Sequence, residues 1–457
     1  MLAMAVVLLL PMCAAAQSSS INAYSPYSMF GPGELHTPGT IQMRSMGGVG
    51  IGLRSVGQIN LLNPASASAA MSKTFLFDMG FDGTHYRNSQ PKYTAEGAHS
   101  HTARTVYNGV NVHSLAMVFP VAKGMGMTFS VAPYSSVGYM MKTTDQQQNN
   151  WADIGRVMYG HTGDGDITEV RLAWGWAPWR TFSVGVAAKY YWGNITRGYT
   201  AEVVNNITGT GTYASTRGVD NYIVSNFKFQ VGVQWDIIAN DSRALTLGAT
   251  YDLGGRLNPK HKSYIYTDNP IHDIYGTTVR DRITDVELRV PHQVGAGIFY
   301  RDRVVAWGVD YIYADWGASN SNYHEGITDG SLAVRYVDTH TLRAGVEVTP
   351  RSNDVRNYLN RMSYRLGVSY GNYYQAFAGE NITKLALTAG FGFPVKVWGA
   401  SSINLGFEYG RINAPARVNM GGKVAGLVTQ NYYKVSLGFS LFSADTSDYW
   451  FVRQKYD

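Results

Sequence analysis

The chain has 457 residues, of which 45% are hydrophobic, 13% aromatic and only 15% charged, and it holds 50 glycines and one cysteine. Soluble globular domains carry about 25% charged residues, so a string of ordinary soluble domains is disfavoured. The aromatic content argues against disorder, and after the leader no apolar run reaches the roughly 18 residues of a transmembrane helix. A Gly- and Tyr-rich chain of mild hydropathy is typical of a large antiparallel β-protein, above all a transmembrane β-barrel.

The formal charge of +6 arises from 38 Lys and Arg against 32 Asp and Glu, without a basic run, so no nucleic-acid partner is predicted. The one cysteine, Cys13, precedes the expected mature chain, which leaves no thiol for disulfides, metal ligation or nucleophilic catalysis. A Walker loop and a His-Glu-x-x-His motif are also absent from the sequence. We therefore predict no catalytic residues, no metal and no cofactor, and we do not expect an enzyme.

The N-terminus predicts a secreted protein. The apolar run Leu2 to Leu10 is followed by Ala14-Ala15-Ala16, which predicts a signal peptide over 1–16. The next segment, 17–72, is rich in glycine and has little periodicity, and it includes Asn63-Pro64-Ala65. We expect a compact coil-and-turn segment there rather than an array of strands.

Alternation of apolar and polar residues dominates the rest of the chain. In one example, Phe227, Phe229 and Val231 alternate with Lys228 and Gln230. The pattern predicts fourteen strands, near 73–87, 109–121, 125–141, 166–178, 182–202, 221–237, 243–257, 282–299, 303–314, 339–349, 361–373, 383–396, 400–412 and 430–442.

The connections between these strands indicate where they fold. Most even strands are followed by short turns and most odd ones by long polar loops, which is the arrangement of bacterial outer-membrane barrels. A secreted β-sandwich or propeller also alternates. The apolar faces here, however, run for about 9–11 residues, the length of a membrane-spanning strand. The sequence therefore predicts an all-β, antiparallel transmembrane barrel in the bacterial outer membrane, spanning 73–442, with 443–457 as a periplasmic tail.

Two stretches of the predicted barrel resemble the FadL/TodX family of hydrophobic-compound transporters. The first runs from Val290-Pro291-His292-Gln293-Val294-Gly295 through the turn Arg301-Asp302-Arg303 to Tyr313-Ala314-Asp315-Trp316, and the second is Arg365-Leu366-Gly367-Val368-Ser369-Tyr370. The segment 17–72 is similar to that family's Gly-rich hatch. The resemblance implies a fourteen-stranded barrel with an N-terminal hatch in its lumen. The matching hatch positions are Gly47, Gly48, Gly50, Asn63, Pro64 and Ala65.

The same hatch, with Ser45-Met46-Gly47-Gly48 and the opening Tyr24-Ser25-Pro26, also resembles a Bacteroidota branch of this superfamily. That branch includes barrels that act as subunits of larger outer-membrane machines. Two functions therefore compete. The chain is either a passive conduit for hydrophobic small molecules, or a non-catalytic subunit for assembly of outer-membrane proteins and lipoproteins or for type IX secretion. The expected partners are outer-membrane lipid and either apolar small molecules or other barrels and surface lipoproteins.

Alternation also predicts which charged side chains point into the lumen. Their charges nearly balance, which favours buried ion pairs that hold the hatch, with a polar selectivity path as the alternative. The predicted lumen network comprises Glu169, Arg171, Lys189, Lys228, Asp252, Asp310, Arg343, Glu347, Arg365, Glu408 and Lys434.

Overall fold

The computed structural model describes residues 24–70, 74–94, 96–144, 156–204, 215–240, 242–268, 282–285, 288–319, 334–377, 379–395, 401–420 and 423–443. The predicted signal peptide and residues 444–457 of the predicted tail lie outside the described residues. Within them, fourteen antiparallel strands form one closed barrel, which confirms the predicted fold class.

The barrel strands are numbered in chain order. They are β1 Phe75–Tyr93, β2 His99–Ala122, β3 Met125–Thr144, β4 Arg156–Trp179, β5 Phe182–Val204, β6 Ser215–Ala239, β7 Ala244–Asp252 with Lys260–Asp268, β8 Arg282–Asp285 with Gln293–Arg301, β9 Val305–Ala314, β10 Val334–Tyr336 with Thr339–Val348, β11 Ser363–Phe377, β12 Glu380–Val395, β13 Ser401–Asn413 and β14 Thr429–Ser443.

Shorter elements complete the described chain. Two small ladders join Gly255–Arg256 to Arg289–Val290 and Val418–Met420 to Lys423–Ala425, and a short strand spans Glu34–Leu35. The one α-helix, α1, spans Ile41–Arg44, and the 3-10 helices are Pro26–Met29, Pro64–Ala69, Gly317–Ser319 and Leu359–Arg361. Among the helices of the described residues, none is long and apolar enough to cross a membrane.

The barrel closes through pairing of its last strand with its first. β14 pairs with β1 from Ser443 opposite Phe75 to Thr429 opposite Ser89. Every strand is thus bonded to a neighbour on both sides over part of its length. Closure satisfies backbone N–H and C=O groups that lipid cannot hydrate, which is why a spanning sheet must close.

The apolar face of the strands points outwards. On β6, Phe227, Phe229 and Trp235 are 61%, 56% and 56% exposed, whereas the intervening Gln230 and Gln234 are buried. A soluble sandwich would show the reverse order, because its apolar face packs inwards. The exposed apolar band is the surface that lipid covers in an outer-membrane barrel.

Several strands extend beyond their predicted ends. β1 and β2 remain paired as far as Tyr93 and His99, within the loop predicted over 88–108, and β4 already begins at Arg156. These extensions carry polar residues on both faces, since water surrounds both faces beyond the membrane. Pairing of the backbone persists there without the alternation that hydrophobic patterning can detect.

We expect a charge on the outer face to destabilise the barrel according to its depth. Val231→Arg, in the middle of β6, should lower the free energy of unfolding by about 2–4 kcal/mol, because lipid solvates the guanidinium poorly. Val106→Arg, on the extended part of β2, should lower it by about 0–1 kcal/mol. Unfolding of the barrel by guanidinium chloride in lipid vesicles measures both changes in the free energy of unfolding. Equal losses at the two sites would contradict the assignment of the membrane band.

Candidate functional site: the charged lumen and the N-terminal segment

Residues 24–70, here called the N-terminal segment, pack against inward-facing positions of the barrel wall. The wall makes room for them with glycines. Gly126, Gly175, Gly185 and Gly232 form a continuous row across β3 to β6. A Cβ at Gly185 or Gly232 would collide with Pro64 or Asn63. The sequence showed glycine on the polar face of the strands, but the close approach of a second backbone explains why.

The predicted hatch residues lie in this contact. Gly47 and Gly48 both adopt positive φ, at 73° and 79°, which an L-residue rarely adopts. The Gly47 N–H donates to Thr388 Oγ1 over 2.9 Å, and Gly48 O accepts from Arg343 Nη1 over 3.1 Å. These two glycines therefore join the segment to β10 and β12.

Asn63-Pro64-Ala65 forms a second fixed point. The Asn63 side chain caps the 3-10 helix by accepting from Ala65 N over 3.0 Å. Its amide Nδ2 donates to Ile51 O and to Val233 O of β6, at 2.9 and 3.0 Å. Pro64 follows at the first helical position, where its missing N–H is not needed.

Arg44, at the end of α1, lies at the centre of a buried ion-pair cluster. Its Nη1 contacts Asp82 Oδ2 of β1 at 2.6 Å, and its Nη2 contacts Glu408 Oε2 of β13 at 2.9 Å. His113 Nδ1 lies 3.0 Å from the same Nη1. Although burial opposes the charged form, Asp82 and Glu408 raise the pKa of Arg44 above its usual value. The cluster fixes the helix to three strands through charged groups removed from water.

Alternation identified Glu408 but not its partners. Asp82 lies on the inward face of β1, so alternation could have identified it as a lumen residue too. Arg44 is one of few charged residues in the Gly-rich segment. Its rarity there was the one feature of the sequence that could have indicated a specific contact. No local pattern indicated that Arg44 would meet Glu408, because 364 residues separate them.

Asp310 of β9 holds the segment through backbone groups instead of a cation. It is completely buried, and its Oδ2 accepts from Gly50 N at 2.7 Å and from Ile51 N at 2.9 Å. Both amides donate to the same oxygen, and hydrogen bonds from N–H groups to a carboxylate are stronger than those between neutral groups. A Cβ at Gly50 would meet the terminal methyl group of Met43, which would have to move aside.

Further contacts lie at the end of the short turns, which is the periplasmic end of an outer-membrane barrel. Arg54 pairs with Asp236 of β6 at 2.6 Å. Gln58 donates to Glu347 Oε2 of β10 at 3.4 Å, and Glu347 pairs with Arg365 at 2.5 Å. Residues 54–58 of the segment are thereby held across the mouth by β6 and β10.

The remaining predicted lumen residues fall into local contacts. Lys189 pairs with Asp252 and lies 3.9 Å from Glu169. Arg171 donates to Gln230 Oε1 at 2.7 Å. The Lys228 ammonium donates to Arg256 O at 2.7 Å, and that of Lys434 lies over the Tyr432 ring, 5.7 Å from its centroid. The structure thus places all eleven on the inner wall but joins them in separate clusters.

A cavity of about 260 Å³ remains between the segment and the wall. Eight charged side chains line it together with apolar and aromatic ones. Its three acids contact bases, but Lys228, Lys384 and Arg343 make no ion pair within the described residues. The charged residues are Arg44, Glu169, Lys189, Lys228, Asp252, Arg343, Lys384 and Glu408.

One stretch of the cavity lining matches the sequence motif of a serine nucleophile. Gly367-Val368-Ser369-Tyr370-Gly371 reads Gly-x-Ser-x-Gly. The motif requires a sharp strand-to-helix turn that exposes the serine. Here all five residues lie within β11 and pair with β12 as ordinary strand, so the geometry of a nucleophile is not formed.

The wall forks between β2 and β3 beside this cavity. The two strands pair only from Leu115 opposite Val131 down to the periplasmic turn. Above the fork, Glu34 and Leu35 pair instead with Ser136 and Ser135 of β3. The N-terminal segment thus takes the place of a barrel strand at this point.

The closed fourteen-stranded barrel with outward apolar faces defines this chain as an outer-membrane β-barrel. A family model described as BamG matches residues 1–457, so the chain belongs to the BamG family. No curated protein matches it.

Solved structures share the fold at low sequence identity. A Pseudomonas aeruginosa FadL homologue has a TM-score of 0.61 at 13% identity, covering 89% of this chain and 99% of that chain. The Pseudomonas putida toluene transporter TodX has 0.53 at 14%, covering 90% and 99%. The Ralstonia pickettii toluene transporter TbuX has 0.50 at 12%, covering 91% and 99%. This likeness confirms the fold that the resemblance implied.

We expect Arg44→Met to lower the free energy of unfolding by about 3–5 kcal/mol, because it leaves Asp82 and Glu408 buried without a cation. Arg104→Met, at an exposed site on β2, should change it by about 0–1 kcal/mol. Denaturant titration in vesicles compares the two. Combining Arg44→Met with Asp82→Asn and Glu408→Gln should recover part of the loss, and no recovery would contradict the electrostatic cause.

Gly367→Val should displace residues 45–50, because a side chain there would collide with Met46 and Gly47. Cys13 is the one cysteine in the sequence, so Ser45→Cys in a Cys13→Ser background provides a single thiol at a site only 3% exposed. Labelling with a water-soluble maleimide should become faster in the Gly367→Val background. Gly83→Val is the matched control, since its nearest neighbour would lie 3.9 Å away. Equal labelling in both backgrounds would contradict the contact.

Proposed function

We propose that this chain is a non-catalytic barrel subunit of a multi-protein machine that assembles outer-membrane proteins or lipoproteins. The observation that carries the proposal is the fixed N-terminal segment, which occupies the lumen through Arg44, Asp310 and Asn63. The name of the BamG family, which points to barrel assembly, supports the same role.

A fixed segment suits a structural subunit better than a gate. Opening a lumen path would require separation of Arg44 from two buried carboxylates, and a buried charge left without its partner costs about 3–5 kcal/mol. A cost of this size limits the open state to roughly one molecule in a hundred or fewer, since 1.4 kcal/mol corresponds to a factor of ten. The contacts at Asp310 and at the periplasmic mouth add to it.

The cavity also argues against a purely apolar cargo. Burial of a charged group beside an apolar ligand removes its water without replacing the lost hydrogen bonds. Lys228, Lys384 and Arg343 would each face such a ligand without a counter-ion. A conduit specialised for hydrocarbons would be expected to have an uncharged lining along its path.

The second candidate, a passive conduit for hydrophobic small molecules, is favoured by the fork between β2 and β3. The cavity reaches Ala132, Pro133 and Tyr134 at this fork. Glu34 and Leu35 cover β3 there with a short ladder, beside which His36 N donates to Tyr134 O at 3.0 Å and His36 Nε2 lies 2.7 Å from Ser136 Oγ. Withdrawal of that ladder would connect the cavity to the membrane.

A covalent lock on the segment distinguishes the two candidates. Ser45 and Thr388 are neighbours, since Thr388 Oγ1 donates to Ser45 O over 3.1 Å. The pair Ser45→Cys and Thr388→Cys, oxidised or bridged by a short bis-thiol reagent, would fix the segment to β12. We expect the locked protein to restore outer-membrane protein and lipoprotein levels in a strain that lacks the native chain.

Ser45→Cys alone, treated with the same reagents, is the matched control. If the lock removes function while the reduced form retains it, the segment must move and the subunit proposal is wrong. Uptake of radiolabelled toluene, measured in the same cells, tests the conduit directly. Uptake that depends on the chain and stops on locking would establish it.

Purification tests whether the chain occurs in a complex with partner proteins. A tagged chain extracted from native outer membrane in mild detergent should elute as a stoichiometric complex with another barrel or with surface lipoproteins. Elution as a single barrel carrying co-purified lipid would favour the conduit instead. Extraction into a second detergent controls for dissociation of a genuine complex.

A further inference from the structure

The connection between β10 and β11, here called the 350–361 loop, is built around one aspartate at the periplasmic end. Asp354 Oδ2 accepts from Asn360 Nδ2 at 2.7 Å, and its Oδ1 accepts from Asn357 N and Arg356 N at 3.0 and 2.9 Å. These hydrogen bonds, that of Asn360 foremost, lower the pKa of Asp354. Arg351 N donates to Asn360 O at 2.7 Å and closes the base. The loop is therefore a folded projection rather than a loose connection.

A concave surface of about 560 Å³ lies between this loop and the turn from β8 to β9. Its lining includes Arg303, Arg351 and Arg356, the apolar Val304 and Val355, and Asp354. We call the three arginines and two valines the arginine pocket. Val355 is 88% exposed, and Val304 is 43% exposed.

Cations outnumber acids at this pocket. Within the described residues the three guanidinium groups make no ion pair, hydrogen bond or ring contact. Asp354 is the one carboxylate of the lining, where it interacts electrostatically with Arg351 while its hydrogen bonds hold the loop, and the nearby Asp302 lies 3.5 Å from Arg243. The pocket thus presents three cations and one loop-bound carboxylate around exposed apolar side chains, which is the complement of an acidic segment with an apolar centre.

The height of the pocket favours a protein over lipid headgroups. Trp307 is outward-facing and pairs with Val346, marking the interfacial girdle. Arg351 lies five residues beyond Val346, which at about 3.3 Å per residue and a tilt of about 40° is about 12 Å further from the membrane centre. The headgroup layer is only about 5–7 Å thick on each side.

The rest of the same loop is anchored to the barrel. Tyr358 OH donates to Pro394 O of β12 at 3.2 Å, and Tyr364 OH of β11 donates to Leu359 O at 3.1 Å. These contacts fix the loop to β11 and β12.

We propose that the arginine pocket is the docking site for an acidic segment, with an apolar side chain at its centre, of a periplasmic partner protein. The proposal rests on the role of the chain as a subunit and adds the surface and the chemistry of one contact. The apolar residue would cover Val304 and Val355, and its flanking carboxylates would pair with the arginines. Such pairing fixes the register of the partner.

A photo-crosslinking amino acid at position 355, introduced in living cells, tests the contact. We expect a crosslink to one protein, mapped by mass spectrometry of the joined peptides to a segment with carboxylates flanking an apolar residue. Arg351→Glu with Arg356→Glu should lower the yield by about tenfold or more, because like charges then oppose each other. Lys123→Glu with the same probe is the control, since Lys123 lies exposed in the turn between β2 and β3.

A second experiment exchanges the charges of the pocket and the partner segment. Replacement of the mapped carboxylates by lysine should restore the crosslink to the Arg351→Glu, Arg356→Glu protein. Crosslinks to phospholipid alone, to a segment without acids, or at unchanged yield after charge reversal would each overturn the proposal. If the purified complex stays intact while the crosslink is absent, the docking site is wrong and the subunit role stands. If the chain purifies alone, the subunit role itself fails.

Discussion

The absence of water in the hydrocarbon layer is the constraint on which the rest of this structure depends. Backbone groups there must find partners within the protein, and a closed sheet of fourteen strands provides them. Closure turns the apolar face of each strand towards lipid and the polar face inwards, as Phe229 and Gln230 illustrate on β6. A barrel of this size would enclose an empty polar lumen, and the N-terminal segment fills it.

The segment is held by charge and by backbone contact more than by apolar packing. Arg44, Asp310 and Asn63 each connect it to a different part of the wall, and the glycines of the wall allow the two backbones to approach. Buried ion pairs contribute modest net stability, but removal of one partner is expensive. Such contacts favour a single position of the segment, which suits a rigid subunit and disfavours easy opening.

The fork between β2 and β3 is the feature of this fold that would suit transport. At this point the N-terminal segment, through Glu34 and Leu35, substitutes for a strand of the wall. Transport would require that short ladder to open, whereas a rigid subunit would require it to stay paired. The fork lies within the wall and the arginine pocket beyond it at the periplasmic end, so the surfaces proposed for the two functions lie at different levels of the molecule.

The number of strands and the inward orientation of the eleven predicted charged residues followed from the sequence, because lipid imposes a period of two wherever it contacts a strand. The strand extensions beyond the membrane did not, because water on both faces erases that period. Nor did the joining of Arg44 to Glu408, the clash that requires Gly367, or the order within the 350–361 loop. These depend on residues far apart in the chain or on hydrogen bonds within one turn. Only closure of the barrel around its own N-terminus brings the distant residues together.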